Sequence, residues 1–231
     1  MEVGPTTHYI MGGIRVDSDT QMSTLPGLFA AGECAAGING ANRLGGNSLS
    51  DLLVFGKRAG EYAAAYAGKT PPGKLDTTQV ENSLQESLEP FEKSSGENPF
   101  EIQRELQNMM QDLVGIVRTE SEMVRALQGL QSLWRKLNNV SVSGSRDYNS
   151  GWHTAIDLKN MLTVSEAIAR SALERKESRG GHFREDYAKP SPEFAKLNVI
   201  VKKAPDGSIE VRHVPTKELP PELKTVLEEN A

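Results

Sequence analysis

Apolar residues recur at helical spacing through the middle of the chain. Ile102, Leu106, Met109, Met110, Leu113, Val114 and Val117 fall on one face of a helix. Met123, Leu127, Leu130, Trp134 and Leu137 do the same on a second. Positions 158–173 are apolar on more than one face, which predicts a buried central helix. Three or four antiparallel helices are the simplest packing of such a set. The pattern before residue 70 is different. Residues 14–17 alternate like a strand, and Gly27-Leu-Phe-Ala-Ala-Gly32 reads as a buried strand bounded by glycines. Residues 48–67 predict a helix with an apolar stripe of Leu52, Leu53, Phe55, Ala59 and Ala63, and Ser48 and Asp51 have a capping-box-like spacing. Near the end, residues 198–202 and 209–214 flank Pro205-Asp-Gly207, a hairpin signal. Residues 221–230 predict a short terminal helix.

Glycine usage divides the chain. Gly12-Gly13, Gly27, Gly32, Gly37, Gly40 and Gly45-Gly46 crowd the first part, as expected where backbone approaches a ligand closely or turns through positive φ. Gly68-Lys-Thr-Pro-Pro-Gly73 is a break, residues 76–178 are glycine-poor, and the chain is loop-like after Gly180-Gly181. The expected division is 1–70, 71–180 and 181–231, with no internal repeat.

Composition narrows the function classes. The chain has 231 residues, enough for one large domain or two small ones. Its net charge is -5 without a long basic run, so a nucleic-acid partner is not expected. The single Cys34 excludes an internal disulfide framework and fits a reducing compartment. No apolar run approaches the roughly 20 residues that span a bilayer, and residues 1–8 lack a signal-peptide pattern. Any membrane association is expected through a partner. The histidines and Cys34 lack ligand spacing, so no metal site is expected. No Gly-x-Ser-x-Gly elbow supports a hydrolase.

A polar set lies inside the glycine-rich frame. Glu33 directly follows the expected strand, where open α/β sheets place ligands, and could accept from sugar hydroxyls or cap a turn. Arg43 has the planar fork that suits a carboxylate, or a structural ion pair. His8 could bond a second carboxylate, carry a proton, or bond loop backbone. Gly45-Gly46-Asn47-Ser48 precedes a helix whose free N–H groups favour negative charge, although simple capping reads the same way.

Four motifs then go further. His8-Tyr-Ile-Met-Gly-Gly13 resembles the segment that carries the substrate histidine of succinate dehydrogenase and fumarate reductase flavoproteins. Pro26-Gly-Leu-Phe-Ala-Ala-Gly-Glu33 is similar to that family's second FAD-contacting strand. Gly40-Ala-Asn-Arg-Leu-Gly-Gly-Asn-Ser-Leu49 resembles its substrate-arginine loop and flavin-contacting helix start, and Glu177-Ser-Arg-Gly-Gly-His-Phe-Arg-Glu-Asp186 a further signature.

The resemblance implies an α+β fold: the C-terminal part of an α/β FAD-binding domain, a three- to four-helix bundle and a C-terminal β-hairpin. It implies that His8 and Arg43 bind a succinate- or fumarate-type dicarboxylate, and that Glu33, Asn47, Ser48 and Leu49 contact FAD. The implied reaction moves a hydride between the diacid and FAD. The implied partners are an iron–sulfur subunit, with a membrane anchor reached through it, which places the protein at the cytoplasmic side of a membrane. The family's Gly-x-Gly-x-x-Gly turn is absent from this sequence, and its flavin-linking histidine and proton-donor arginine lie upstream of the segment matching His8. No catalytic residue is therefore assigned, and the chain alone is expected neither to hold FAD tightly nor to turn over. Two other readings stand: an L-aspartate oxidase-like flavoenzyme, and an inert helical interaction module. Arg179, His182, Arg184 and Asp186 have no catalytic reading; structural ion pairs at a domain junction are the default expectation for them, with subunit contact second.

Overall fold

The computed structural model describes residues 8–229. Apart from His8, the residues read for a signal peptide lie outside that range, as does residue 230 of the expected terminal helix. The chain divides into two compact units, one reaching Ser95 and including residues 179–183, the other formed by residues 96–178 and those from Arg184 onward. Residues 71–95 therefore group with the glycine-rich part rather than with the helical bundle.

The first unit contains α1 (Asn47–Lys69) and α2 (Thr77–Glu92). Asp76 starts α2 by accepting the Thr78 N–H at 3.0 Å and the Gln79 N–H at 3.3 Å. No side chain of α2 is buried, so this helix adds nothing to a core. α1 starts differently from the expectation. Its N-cap is Gly46, at φ 83°, with no side-chain cap. Ser48 and Asp51 lie inside the helix and form no capping box. The expected apolar stripe is met in part: Phe55, Ala59 and Ala63 are half-buried, whereas Leu52 and Leu53 are exposed and Asp51 is the buried residue of the helix. The segment before α1 is held by isolated bridges, Ile14 beside Ala35, Val16 opposite Ser23 and Met22 opposite Phe29. Neither residues 14–17 nor 27–32 form a continuous strand. Strands need neighbours to satisfy their backbone groups, and here only single bridges supply them.

The second unit is built on α3 (Pro99–Leu113), α4 (Glu120–Leu137) and α5 (Ser150–Glu174). Each start has a side-chain cap. Asn98 accepts the Phe100 N–H at 2.9 Å, Thr119 the Glu122 N–H at 3.4 Å, and Asn149 the Trp152 N–H at 3.0 Å. Ile102 and Leu106 from α3, Leu130 and Leu133 from α4, and Leu158 and Leu162 from α5 share one core. Each such side chain contributes about 1.5–3 kcal/mol on burial. α5 buries Ala155, Leu158, Leu162, Ser165, Ala169 and Ala172, a single stripe at helical spacing rather than several faces. Val117, expected on the first helix, instead belongs to the short strand β1 (Val117–Arg118).

After the short strand β2 (Phe183–Arg184), β3 (Leu197–Lys203) and β4 (Ile209–Pro215) form the expected antiparallel hairpin, with Val201 opposite Val211. Its turn closes through Ala204 N–H to the Ser208 carbonyl at 2.8 Å, and Gly207 takes φ 87°. Helix α6 (Pro221–Glu229) follows.

One polar cluster is buried in this unit. Arg184 is fully buried, donates to both Asp186 oxygens at 2.7 Å, and donates to the Ala172 and Leu173 carbonyls at 3.1 Å each. It thereby satisfies carbonyls at the C-terminal end of α5. Asp186 also accepts the Glu120 N–H at the start of α4, at 2.8 Å. The Arg184 guanidinium holds the Asp186 carboxyl down at about 2. Buried Glu177 accepts from Arg175 Nε at 2.8 Å and from the Ser191 N–H at 2.7 Å. Within the signature 177–186, Arg184 and Asp186 thus make a structural ion pair.

Candidate functional site

The site is assembled within the first unit, and glycine makes the first step possible. Gly13 runs so close to the Cys34 carbonyl that a Cβ there would collide with it. Beside that approach, Ile14 N–H donates to the Cys34 carbonyl at 2.7 Å and Ala36 N–H to the Ile14 carbonyl at 2.9 Å. Ile10 N–H donates to Glu33 Oε1 at 3.0 Å. These bonds lay the segment from His8 to Ile14 against the Gly32–Cys34 turn. Glu33 stands in that short 3₁₀ turn rather than at the end of a strand, and it is exposed.

Arg43 meets this segment from the other side. Its Nη2 lies 3.2 Å from His8 Nε2, and its guanidinium carbon sits 4.5 Å from the centre of the Tyr9 ring. Nη1 donates to the Leu44 carbonyl at 3.3 Å and to Ser48 Oγ at 3.5 Å. The remaining donor, Nε, is buried and has no acceptor among the described residues. Arginine carries donors only, two of them on Nη2, so the guanidinium is held in place with an Nη2 N–H to offer an anion.

Tyr9 and its neighbour Asn39, whose Nδ2 donates to the Tyr9 hydroxyl at 3.4 Å, were missed by sequence reasoning. So was the Gly180-Gly181 pair. Gly181 N–H donates to the Ala41 carbonyl at 2.9 Å, and Gly180 takes φ 59° against the same carbonyl with no room for a Cβ. The pair therefore supports the loop that carries Arg43. The signal was the double glycine in 177–186, but its target lies far away in sequence.

Asn47, Ser48 and Leu49 occupy the first turn of α1. Asn47 N–H donates to the Leu44 carbonyl and Leu49 N–H to the Gly46 carbonyl, both at 3.2 Å. Asn47 and Leu49 are exposed and Ser48 is half-buried. A Cβ added at Gly45 or Gly46 would meet nothing within 4 Å. Open space, no side-chain cap and a helix N-terminus together suit the approach of an electron-rich ring system. The exposed Glu33 carboxylate suits hydroxyl donors. The residues present thus fit FAD. Among the described residues, no cluster of histidine, cysteine or carboxylate side chains could hold a metal ion. No helix there is long and apolar enough to cross a membrane.

The chain matches known families and proteins. Residues 103–226 match the family described as fumarate reductase flavoprotein C-term, and residues 1–49 match the FAD binding domain family. The chain is 36% identical over 222 residues to the fumarate reductase flavoprotein subunit of Mycobacterium tuberculosis, covering 92% of this chain and 38% of that protein. It is 36% identical over 231 residues to the fumarate reductase flavoprotein subunit of Escherichia coli K12, covering 95% of this chain and 38% of that one. The structure of Mycobacterium smegmatis Sdh1 in complex with UQ1 superposes with a TM-score of 0.93 at 48% identity, covering 100% of this chain and 39% of that one. The fold and these matches define a flavoprotein class. The chain belongs to the fumarate reductase and succinate dehydrogenase flavoprotein family. It spans less than two fifths of the length of these relatives.

Proposed function

We propose that this chain is the C-terminal part of a FAD-dependent flavoprotein that interconverts succinate and fumarate. The electrons go to an iron–sulfur subunit, which attaches the assembly peripherally to a membrane through an anchor. The observation that carries the reading is the Arg43 guanidinium, held 3.2 Å from His8 Nε2 and stacked on Tyr9.

FAD, when bound, supplies the hydride acceptor and donor. The chain's own residues bind and orient. Arg43 grips one carboxylate and polarises it, which favours hydride transfer at the neighbouring carbon. His8 bonds the second carboxylate. Because the two come from separate loops, they pin both ends of a short diacid. The start of α1, with Asn47, Ser48 and Leu49, stabilises negative charge on the flavin ring, and Glu33 accepts from hydroxyls of the cofactor. The proton-transfer group comes from the rest of the flavoprotein, so the chain by itself is inactive.

A chimera tests this. The matched part of the Mycobacterium smegmatis Sdh1 chain is replaced by this sequence, and FAD content and succinate oxidation by a dye acceptor are measured. Flavinylated, active chimera whose turnover disappears with Arg43→Ala is the expected result. Equal turnover in the Arg43→Ala chimera would refute the assignment.

A further inference from the structure

Arg43 is held by two kinds of contact. The first kind uses its donors. Nη1 reaches the Leu44 carbonyl at 3.3 Å and Ser48 Oγ at 3.5 Å, and Nη2 lies 3.2 Å from His8 Nε2. The two Nη1 contacts are longer than the roughly 2.7–3.2 Å of ordinary N–H···O bonds. The His8 contact needs Nε2 as acceptor, because a guanidinium only donates. A carboxylate on His8 Nε2 needs that nitrogen as donor instead, so the contact with Arg43 is given up when a diacid arrives.

The second kind is the Tyr9 ring, 4.5 Å from the guanidinium carbon. It occupies no N–H, since the attraction runs between the cation and the face of the ring. It is therefore the restraint that persists while the donors turn to a ligand. The ring is itself fixed at both ends. Asn39 Nδ2 donates to its hydroxyl at 3.4 Å, and on the backbone side the adjacent Ile10 N–H donates to Glu33 Oε1 at 3.0 Å. Tyr9 and Asn39 are both half-buried. An arginine side chain has much rotamer freedom to lose, and a fixed ring against one face removes part of it before any ligand binds. Neither Tyr9 nor Asn39 has a part in the hydride transfer or in gripping the carboxylates described above.

We infer that Tyr9 is the positioning residue for Arg43, with Asn39 as its brace. This rests on the reading of Arg43 as the group that grips the diacid, and adds what keeps that grip in register. With one face covered by the ring, the guanidinium offers its edge, the approach in which two parallel N–H···O bonds to a carboxylate form. Tyr9 acts through the guanidinium, without contacting the diacid.

Malonate is titrated calorimetrically into the 231-residue chain and its variants, each checked for folding by circular dichroism. Tyr9→Leu keeps an apolar side chain but has no ring face, and weakens malonate binding about tenfold. Tyr9→Phe and Asn39→Ala each remove only the brace, and each weakens binding about threefold or less. The two together weaken it no more than either alone, because they delete the same bond. A spectroscopic signature separates positioning from a general loosening of the loop. The Arg43 Hδ protons, shielded by the ring, resonate upfield in the native chain, keep that shift in Tyr9→Phe and lose it in Tyr9→Leu. Malonate binding by Tyr9→Leu equal to that of the native chain, with binding lost in Arg43→Ala, would overturn the inference and leave the Arg43 assignment standing. Arg43 Hδ resonances unchanged between the native and Tyr9→Leu chains would do the same. Tyr9→Phe as weak as Tyr9→Leu would place the effect in the hydroxyl rather than the ring, and would also overturn it. A native chain that takes up no malonate, or an Arg43→Ala chain that takes it up equally well, overturns the Arg43 assignment first and the inference with it.

Discussion

Arg43 Nη2 sits 3.2 Å from His8 Nε2. A guanidinium has no lone pair to offer, so Nε2 must be the acceptor and the imidazole proton must reside on Nδ1. A diacid that bonds both side chains reverses this arrangement, since Nε2 then has to donate to a carboxylate. Long-range nitrogen–proton NMR of labelled histidine is expected to show His8 as the Nδ1–H tautomer in the free chain, and an Nε2–H species once malonate is added. An Nε2–H tautomer in the free chain with Arg43 intact would contradict the geometry.

The loop bearing Arg43 depends on a contact with no chemistry of its own. Gly180 presses on the Ala41 carbonyl at φ 59°. Gly180→Ala adds both a collision and a backbone conformation that costs of order 1–3 kcal/mol. The loop moves to relieve it. Malonate affinity is expected to fall about tenfold while the second unit, which does not contain this segment, keeps its thermal transition. Unchanged affinity would show that the glycine pair does not set the position of Arg43.

Much of the fold was legible because it depends on local rules. The faces of α3 and α4 follow apolar spacing, and the hairpin follows Pro205-Asp-Gly207. α1 shows where such reading stops. Of its expected apolar stripe, Phe55, Ala59 and Ala63 face inward but Leu52 and Leu53 are exposed, and the buried position is Asp51. Periodicity identifies the helix but not which face is covered, since that depends on what packs there. Residues 27–32 have strand-like composition, yet a strand exists only where neighbours take its backbone bonds. Residue type and motif singled out His8, Arg43 and Glu33, and the structure brings His8 and Arg43 into direct contact. The support from Gly180 and Gly181 was hidden because it links positions about 140 residues apart, beyond any local pattern.

Stability at low pH should centre on Asp186. Its carboxyl titrates at about 2, held down first by the Arg184 hydrogen bonds and further by the Glu120 N–H, against an ordinary value of 3.8. A depressed carboxyl stabilises the fold above its unfolded value. That contribution is therefore present above about pH 4 and is lost as the pH falls through about 2. Denaturant midpoints measured between these limits are expected to drop steeply. Asp186→Ala removes the close carboxylate partner of the fully buried Arg184 and leaves it Glu120 Oε2 at 3.7 Å, so the loss at neutral pH is expected below the about 3–5 kcal/mol of a wholly orphaned buried charge. It should also flatten the acid limb. A variant as stable as the native chain would show that the pair is dispensable.

Calorimetric titration of malonate into the native chain and into Arg43→Ala tests the account most directly, with circular dichroism confirming that both are folded. The account predicts a binding isotherm for the native chain that is lost in the variant, because the Arg43 guanidinium is the diacid's main contact. Superposable titrations of the two proteins would contradict it.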